Sequence, residues 1–402
     1  THAHVVKPIS PSMLRLKIQS EYKQARTAIL KTTHGIVHTP TLIPVATLAS
    51  IKSLTPEDLQ RLNIEIIIAN TFHLYLRPGP DVIKKLGGLH KFMSFNKTIM
   101  TDSGGFQAFS LGLGLEHGVG KIITGNNIKK SRDKLALVEE DGVIFRSPID
   151  NSKYKLTPDL SIKVQENLGA DIIYALDECT SPLSDYKYTK ESLERTHRWA
   201  QRCLEIHKTN QSLFGIVQGG EFKDLRTKSA KFISSLDFDG YGIGGVFGKS
   251  KEHMYDVIDW SIKPLDENKP RHLLGIGAIE DIFECVELGI DLFDCVAPTR
   301  LARMGYLFIT PKSKGNKENK FRIRITNKIY KLDKTPIDKY CKCYTCKNFS
   351  KAYLRHLFVS NELTYHRLAT YHNLYYFIDL FKQIRESIDQ NKFSKLKRYW
   401  LK

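Results

Sequence analysis

Short apolar runs recur along this 402-residue chain, and nearly every one ends on an acid, an amide or a glycine. The runs are Ile64 to Ala69, Thr98 to Met100, Asp171 to Leu176, Leu213 to Val217, Gly240 to Ile243, His272 to Ile276 and Ile290 to Phe293. Almost continuous apolarity over so few residues is the mark of a strand buried on both faces, as in a parallel sheet. Helical stretches lie between several of them, at 158–168 after Thr157 and at 190–207. Alternating strand and helix at this spacing predicts a parallel sheet, closed or open. The polar ends decide between the two. Asp102, Asp177, Gln218, Gly245, Gly277 and Asp294 follow different strands, and such groups converge where a (β/α)8 barrel opens at its C-terminal face. A doubly wound sheet would gather function at one switch point, and no P-loop is present. The expected class is α/β, a (β/α)8 TIM barrel.

Other segments frame that barrel. Residues 13–48 alternate around Gly35 and predict antiparallel strands that cap it. Thr55-Pro56-Glu57-Asp58 is a helix start, with a capping hydroxyl, Pro at the first position and acids in the first turn. Residues 111–140 are rich in Gly, Lys and Asn and predict a surface excursion or lid. Residues 312–334 hold nine basic and two acidic side chains, and Phe321-Arg322-Ile323-Arg324-Ile325 predicts an edge strand with one cationic face. The expected layout is a barrel with its N-terminal strands over 1–310, a metal-binding subdomain over 311–375, and a C-terminal helix over 376–402 packing back on the barrel.

Composition narrows the setting. Hydrophobic residues at 41% and charged residues at 26% are those of a globular protein. No run of eighteen apolar residues predicts a spanning helix, and residues 1–11 lack the apolar stretch of a secretory signal. The chain starts without Met, which suggests trimming or an arbitrary boundary. Lys plus Arg number 61 against 43 Asp plus Glu, a formal charge of +18. Such an excess attracts polyanions, although a lysine-rich proteome gives the same figure.

Three of seven cysteines crowd into Cys341-Lys342-Cys343-Tyr344-Thr345-Cys346. That is a poor disulfide framework for so long a chain and a good metal pattern, which also points to a reducing, cytoplasmic compartment. Three thiolates need a fourth ligand, and His372 is the natural one, with His356 and His366 as competitors. Four protein ligands leave a tetrahedral zinc no open position, so the site would be structural.

Asp102, Asp177 and Asp294 are each credible as turn-capping acids, but three at one barrel mouth suit glycosyl transfer. A retaining mechanism uses one carboxylate to attack the anomeric carbon and a second group to move a proton.

These motifs are also those of a known family. TDSGGFQ from Thr101, ALDECT from Ala175, FGIVQGG from Phe214, GIGG from Gly242, FDCVAPTRLAR from Phe293 and the Cys-x-Cys-x2-Cys followed by His372 resemble, in order, tRNA-guanine transglycosylases of bacterial type. The resemblance covers about residues 12–390. It implies a TIM barrel with one structural zinc per chain on Cys341, Cys343, Cys346 and His372. It also implies a homodimer acting on the tRNA anticodon loop. The family exchanges the wobble guanine of G-U-N anticodons for a 7-deazaguanine, queuine or its aminomethyl precursor. By that similarity Asp294 is the nucleophile at ribose C1′ and Asp102 the general acid/base. Asp177, Gln218 and the backbone of Gly245 would read the purine edge, beside Ser103, Gly104, Gly105, Val246 and Leu274. Phe106 would stack on the purine, unless it is a core aromatic. Gly275, Ile276, Gly277, Ala278, Ile279, Glu280 and Asp281, with Thr299, Arg300, Leu301, Ala302 and Arg303, match RNA-contacting loops, Arg300 and Arg303 as phosphate ligands.

The chain departs from the pattern in two places. Members that use the precursor carry Leu-Ala-Val-Gly-Glu after the paired glycines, whereas Gly245 is followed here by Val246-Phe247-Gly248-Lys249, shorter and without the acid. That change favours queuine itself. Met304 stands where Asn is usual. The rival readings are a non-catalytic tRNA-binding paralogue, a TIM-barrel glycoside hydrolase, and an enzyme that modifies another tRNA position. Retention of Asp102 and Asp294 opposes the first. The second would need Trp platforms, and the three Trp, at 199, 260 and 400, lie away from the strand ends. The third usually carries further C-terminal RNA-binding domains.

Overall fold

The computed structural model of the chain describes residues 13–113, 136–181, 183–245 and 250–402. At its centre a parallel sheet of nine segments runs, neighbour to neighbour, Thr41–Ile43, Leu292–Asp294, Arg271–Leu273, Gly240–Ile243, Ser212–Val217, Ile172–Tyr174, Thr98–Thr101, Ile66–Ala69 and Val45–Ala46. The first and last segments are consecutive in sequence and meet at Pro44, whose ring nitrogen has no hydrogen to donate to a ladder. They are one interrupted strand, so the sheet meets itself and closes a barrel of eight staves.

The seven apolar runs are all barrel strands. The eighth stave lies inside residues 13–48, which the alternation assigned wholly to antiparallel strands. That expectation holds only through Thr39. Beyond it Pro40 and Pro44 punctuate the pattern, and Thr41–Ile43 pairs in parallel with Leu292–Asp294. Arg15–Tyr22, Ala25–Thr32 and Gly35–Thr39 do form the expected antiparallel sheet. Leu30 and Val37 of that sheet cluster with barrel residues Ile43, Ile66, Ile68, Met100, Ile172, Phe214 and Leu292. Thr32 bonds Thr98 at 2.8 Å, at the start of its strand, so the sheet closes the N-terminal end of the barrel and leaves the C-terminal mouth open.

A buried ion pair fastens this cap. Arg26 donates to both carboxylate oxygens of Asp291, at 2.9 and 2.7 Å, with side chains 3% and 0% exposed. Asp291 also accepts from the backbone N–H of Arg271 at 2.8 Å. Removing one partner strands a desolvated charge, which costs about 3–5 kcal/mol. Arg26→Met is therefore expected to lower unfolding stability by about 3 kcal/mol, read as a lower urea midpoint at unchanged slope; an unchanged midpoint would refute the fastening role.

Helix Gly105–Leu113 leaves the third stave, and an antiparallel sheet of Ala136–Glu139, Gly142–Arg146 and Lys153–Leu156 precedes the fourth. The excursion expected at 111–140 thus has a helix at one end and a strand at the other, and residues 114–135 lie outside the described ones. After the barrel, Arg322–Arg324 pairs with Tyr306–Phe308. The guanidiniums of Arg322 and Arg324 sit 4.8 and 5.7 Å from the Tyr306 ring centroid, as alternation along a strand requires of one cationic face. Helix Leu363–Asp389 then runs unbroken through position 375. With Phe393–Trp400 it returns to the barrel: Thr27 bonds Asp389 at 2.7 Å, Arg385 donates to the Pro40 carbonyl at 2.8 Å, and Lys397 pairs with Glu284 and Glu287. Among the described residues no helix is long and apolar enough to cross a membrane.

Candidate active site

Asp102 follows the last residue of the stave Thr98–Thr101, and Asp294 ends the stave Leu292–Asp294. Both open on the barrel mouth. Three donors surround the first carboxylate: Asn70 Nδ2 at 2.6 Å, and the backbone N–H groups of Thr71 at 2.9 Å and Gly104 at 3.2 Å. Gly104 reaches this position at φ +78, and a Cβ there would lie 3.3 Å from the backbone nitrogen of Phe72. Asp102 keeps some exposure to the mouth, but protein packs closely round its carboxyl group. This desolvation raises its pKa to about 7, and the negative charge of Asp294 pushes the same way against the three hydrogen bonds. Asp102 therefore lies within the field of Asp294 and titrates far above the ordinary carboxylate range.

Asp294 is supported from the neighbouring stave. The Gly275 N–H donates to its Oδ1 at 2.8 Å, and His272 Nε2 lies 3.0 Å from the same oxygen. The side chain is 19% exposed, enough to meet a ligand.

On the staves between the two acids the mouth carries a carboxylate, an amide and a hydroxyl. Gln218 Nε2 donates to Asp177 Oδ2 at 2.6 Å, and Ser103 Oγ donates to Asp177 Oδ1 at 3.4 Å. All three side chains are buried. Gln218 Oε1 has no partner among the described residues and would sit 2.4 Å from a Cβ on Gly245. Gly245, at φ +92, thus leaves room for the amide that a side chain would displace. Gly105 likewise lets helix Gly105–Leu113 start against the Asp177 carbonyl, 3.0 Å from where its Cβ would be. A buried acceptor pair beside donor amides is suited to an edge that presents N–H groups and a carbonyl, such as guanine.

Phe106 is 48% exposed at the start of that helix, which removes the core-aromatic reading and leaves its face available for stacking. Leu274 is half-buried beside the mouth. Val246 lies outside the described residues, as do Phe247, Gly248 and Lys249.

The two expected RNA-contacting stretches divide by exposure. Gly275, Ala278 and Arg300 are exposed, and Glu280, Leu301 and Arg303 half-buried. Ile276, Gly277, Ile279, Asp281, Thr299 and Ala302 are buried, so any contact there would come from backbone. Glu280 and Asp281 are bound to Lys251, at 2.5 and 3.2 Å. Arg303 donates to the Thr299 carbonyl at 2.8 Å.

Sequence reasoning missed several residues that hold this site. Asn70 directly follows the stave Ile66–Ala69, and its polarity at a strand end was the available signal. Arg226, fully buried, donates to the carbonyls of Gly220, Val217 and Gly244 at 2.7, 3.2 and 2.8 Å, tying together the loops that carry Gln218 and Gly245. Burial lowers its pKa to about 9. Nothing in a helical K-D-L-R run marks it. Tyr174 and His272 are likewise silent in sequence.

Away from the mouth, Cys341, Cys343, Cys346 and His372 bring their ligand atoms within 4.8 Å of one another. The three sulfurs lie 3.7, 3.5 and 3.3 Å from His372 Nδ1. Tetrahedral zinc bonds of about 2.3 Å to sulfur and about 2.0 Å to nitrogen require S···N of about 3.5 Å. His372 Nε2 donates to the Phe308 carbonyl at 2.7 Å, which leaves Nδ1 as a lone pair for a metal. His356 and His366 are not in the group. His34, His90 and Asp171 also come together at the N-terminal end of the barrel. Their imidazoles stack 3.6 Å apart at 18°. Hydrogen bonds from each ring to a different Asp171 oxygen, at 2.6 and 3.1 Å, account for that cluster.

A family model described as queuine tRNA-ribosyltransferase matches residues 21–402. A protein of Archaeoglobus fulgidus, given the same name provisionally, is 54% identical over 96% of this chain and 99% of its own. Queuine tRNA-ribosyltransferases of Caldanaerobacter subterraneus subsp. tengcongensis and Fusobacterium nucleatum subsp. nucleatum are 46% and 44% identical, over 97% and 96% of this chain and 98% and 96% of theirs.

Proposed function

The chain belongs to the queuine tRNA-ribosyltransferase family and is a tRNA-guanine transglycosylase, a pentosyltransferase, and on that premise we propose that Asp294 and Asp102 carry the exchange as nucleophile and proton carrier. In the first half-reaction Asp294 bonds to ribose C1′ as the C1′–N9 bond of guanine breaks, and Asp102 gives its proton to the departing base. In the second, Asp102 takes the N9 proton of the incoming base, N9 bonds to C1′, and the Asp294 ester bond breaks. Atoms and charge balance, and the anomeric configuration is retained. The single observation that carries this reading is the pair of coupled carboxylates at one mouth, with Asp102 raised to about 7 beside Asp294.

Asp177, Gln218 and the Gly245 backbone read the purine edge, with Phe106 stacked on its face. The exposed Phe106 and the Gln218 Oε1, without a partner among the described residues, support this. The base is reached only when unstacked, so a loop is the substrate, the wobble guanine of a G-U-N anticodon. Arg300 and the Arg322 and Arg324 face supply cations for its phosphates. The incoming base is a 7-deazaguanine, and the shortened stretch after Gly245 favours queuine over the aminomethyl precursor. Cys341, Cys343, Cys346 and His372 hold one structural zinc, supported by their near-tetrahedral spacing. Bound there, the ion would pin the segment Tyr344–Asn348 to helix Leu363–Asp389 and take no part in chemistry. A homodimer is proposed from the family resemblance. A tRNA substrate supports a cytoplasmic setting for the reaction.

The test is exchange of labelled guanine into G-U-N tRNA, followed by displacement with queuine or its precursor. Queuine incorporation is expected; incorporation of the precursor alone would refute the base assignment. The pH dependence has a definite sign. Asp102 must be protonated to release guanine, so kcat/KM for tRNA should fall as pH rises through about 7. Asp102→Asn should abolish that inflection along with most of the rate, and an alkaline limb surviving the substitution would assign it elsewhere.

A further inference from the structure

We infer that His272 is a positioning residue for the attacking carboxylate: Tyr174 fixes its ring from inside the barrel, and the ring fixes Asp294. The inference rests on Asp294 being the nucleophile.

His272 is fully buried on the stave Arg271–Leu273 and pairs in register with Leu292, two residues before Asp294. Its Nε2 reaches Asp294 Oδ1 at 3.0 Å. The ring N–H is not aimed squarely at that oxygen, so attraction between the groups matters more than an aligned hydrogen bond. On the other side of the ring, Tyr174 Oη lies 2.6 Å from Nδ1. Tyr174 comes from the stave Ile172–Tyr174, and the staves Ser212–Val217 and Gly240–Ile243 intervene before that of His272. The contact therefore crosses the barrel interior. Gly242, on one of the intervening staves, makes this possible, because a Cβ there would come 3.0 Å from the Tyr174 ring.

The chain of atoms has a direction. Burial, and then the charges of Asp294 and Asp102, hold the Tyr174 phenol well above its ordinary pKa, so it stays a donor. That phenol donates to His272 Nδ1, which puts the ring proton on Nε2, facing Asp294. Oδ1 thus accepts the Gly275 N–H and has the His272 Nε2 beside it at 3.0 Å. During attack that oxygen becomes the ester carbonyl, and in the second half-reaction it becomes carboxylate again. A polar N–H beside it helps the acid leave in the second half-reaction, when negative charge develops on that oxygen. The sequence feature is a His three residues before the first glycine of LLGIG, with a Tyr three residues before Asp177.

The test uses the whole protein, labelled guanine and a G-U-N tRNA. His272→Phe is expected to lower kcat by roughly 100-fold with KM for tRNA changed less than about threefold, since the contact is made with the reacting acid and not with bound RNA. His272→Gln, whose amide can still donate to Asp294, should recover at least about tenfold of that loss. Tyr174→Phe removes one hydroxyl and should lower kcat roughly tenfold, which keeps the inference testable if His272→Phe fails to fold. Wild-type kcat in Tyr174→Phe and His272→Gln together with His272→Phe would overturn it. So would a loss expressed only in KM, or a Gln variant no better than Phe. The underlying reading fails separately: if Asp294→Asn still forms a covalent RNA complex, Asp294 is not the nucleophile, whatever the His272 variants do.

Discussion

Asp294→Asn is expected to end base exchange, lowering kcat by roughly 10⁴-fold or more while tRNA still binds within a few-fold of normal. An amide at this position is nearly isosteric but is a far weaker nucleophile, so the C1′–O bond cannot form. The scaffold tolerates the change: the side chain is 19% exposed, and its oxygen can still accept from the Gly275 N–H. One secondary effect follows from the coupling of the two acids. The charge of Asp294 helps to raise Asp102, so its removal should bring the Asp102 pKa down from about 7. Asp102 in the variant would then be a weaker acid catalyst at neutral pH only through its own ionisation. A variant that exchanges guanine at more than about one percent of the normal rate would contradict the assignment.

Loss of the metal should be the largest structural effect. Cys343 is 1% exposed and His372 is fully buried, and Cys343 also accepts from the Cys346 N–H as the N-cap of helix Tyr344–Asn348. Without an ion, three thiols crowd one imidazole in a buried site with nothing to organise them. Structural zinc contributes on the order of 10 kcal/mol of binding energy in small domains, and that energy is folding energy. Cys343→Ser, or a strong chelator, is expected to reduce zinc from one per chain to below about 0.2. The melting temperature should fall by roughly 5 °C or more. Because the ligands must be deprotonated, metal should also leave as pH falls. Guanine exchange should decline with the loss of order near Tyr306–Phe308, whose Phe308 carbonyl holds His372, and not through the chemistry at the mouth. Full retention of zinc by Cys343→Ser would contradict the ligand set.

The barrel was legible because burial on both faces forces near-continuous apolarity, and polar strand ends survive only where a mouth needs them. Asp102, Asp177, Gln218 and Asp294 stand out for that reason. The stave Thr41–Ala46 did not, since Pro40 and Pro44 break the apolar run and its neighbours in sequence are antiparallel. Arg226 was hidden differently. It lies in helix Lys223–Ser235, where an arginine is ordinarily solvated, and only the coordinates reveal the three carbonyls around it. His272 and Tyr174 belong to strands whose alternation gives no hint that two polar groups meet across the interior. Sequence periodicity reports which face is buried and is blind to what a buried polar group touches.

The most direct measurement is to trap the reaction on anticodon-loop RNA in the absence of incoming base, digest the complex and map the modified peptide by mass spectrometry. The account predicts a single ribonucleotide adduct on the peptide containing Asp294, absent from Asp294→Asn. An adduct on Asp102 or Asp177, or steady exchange with no adduct at all, would contradict it.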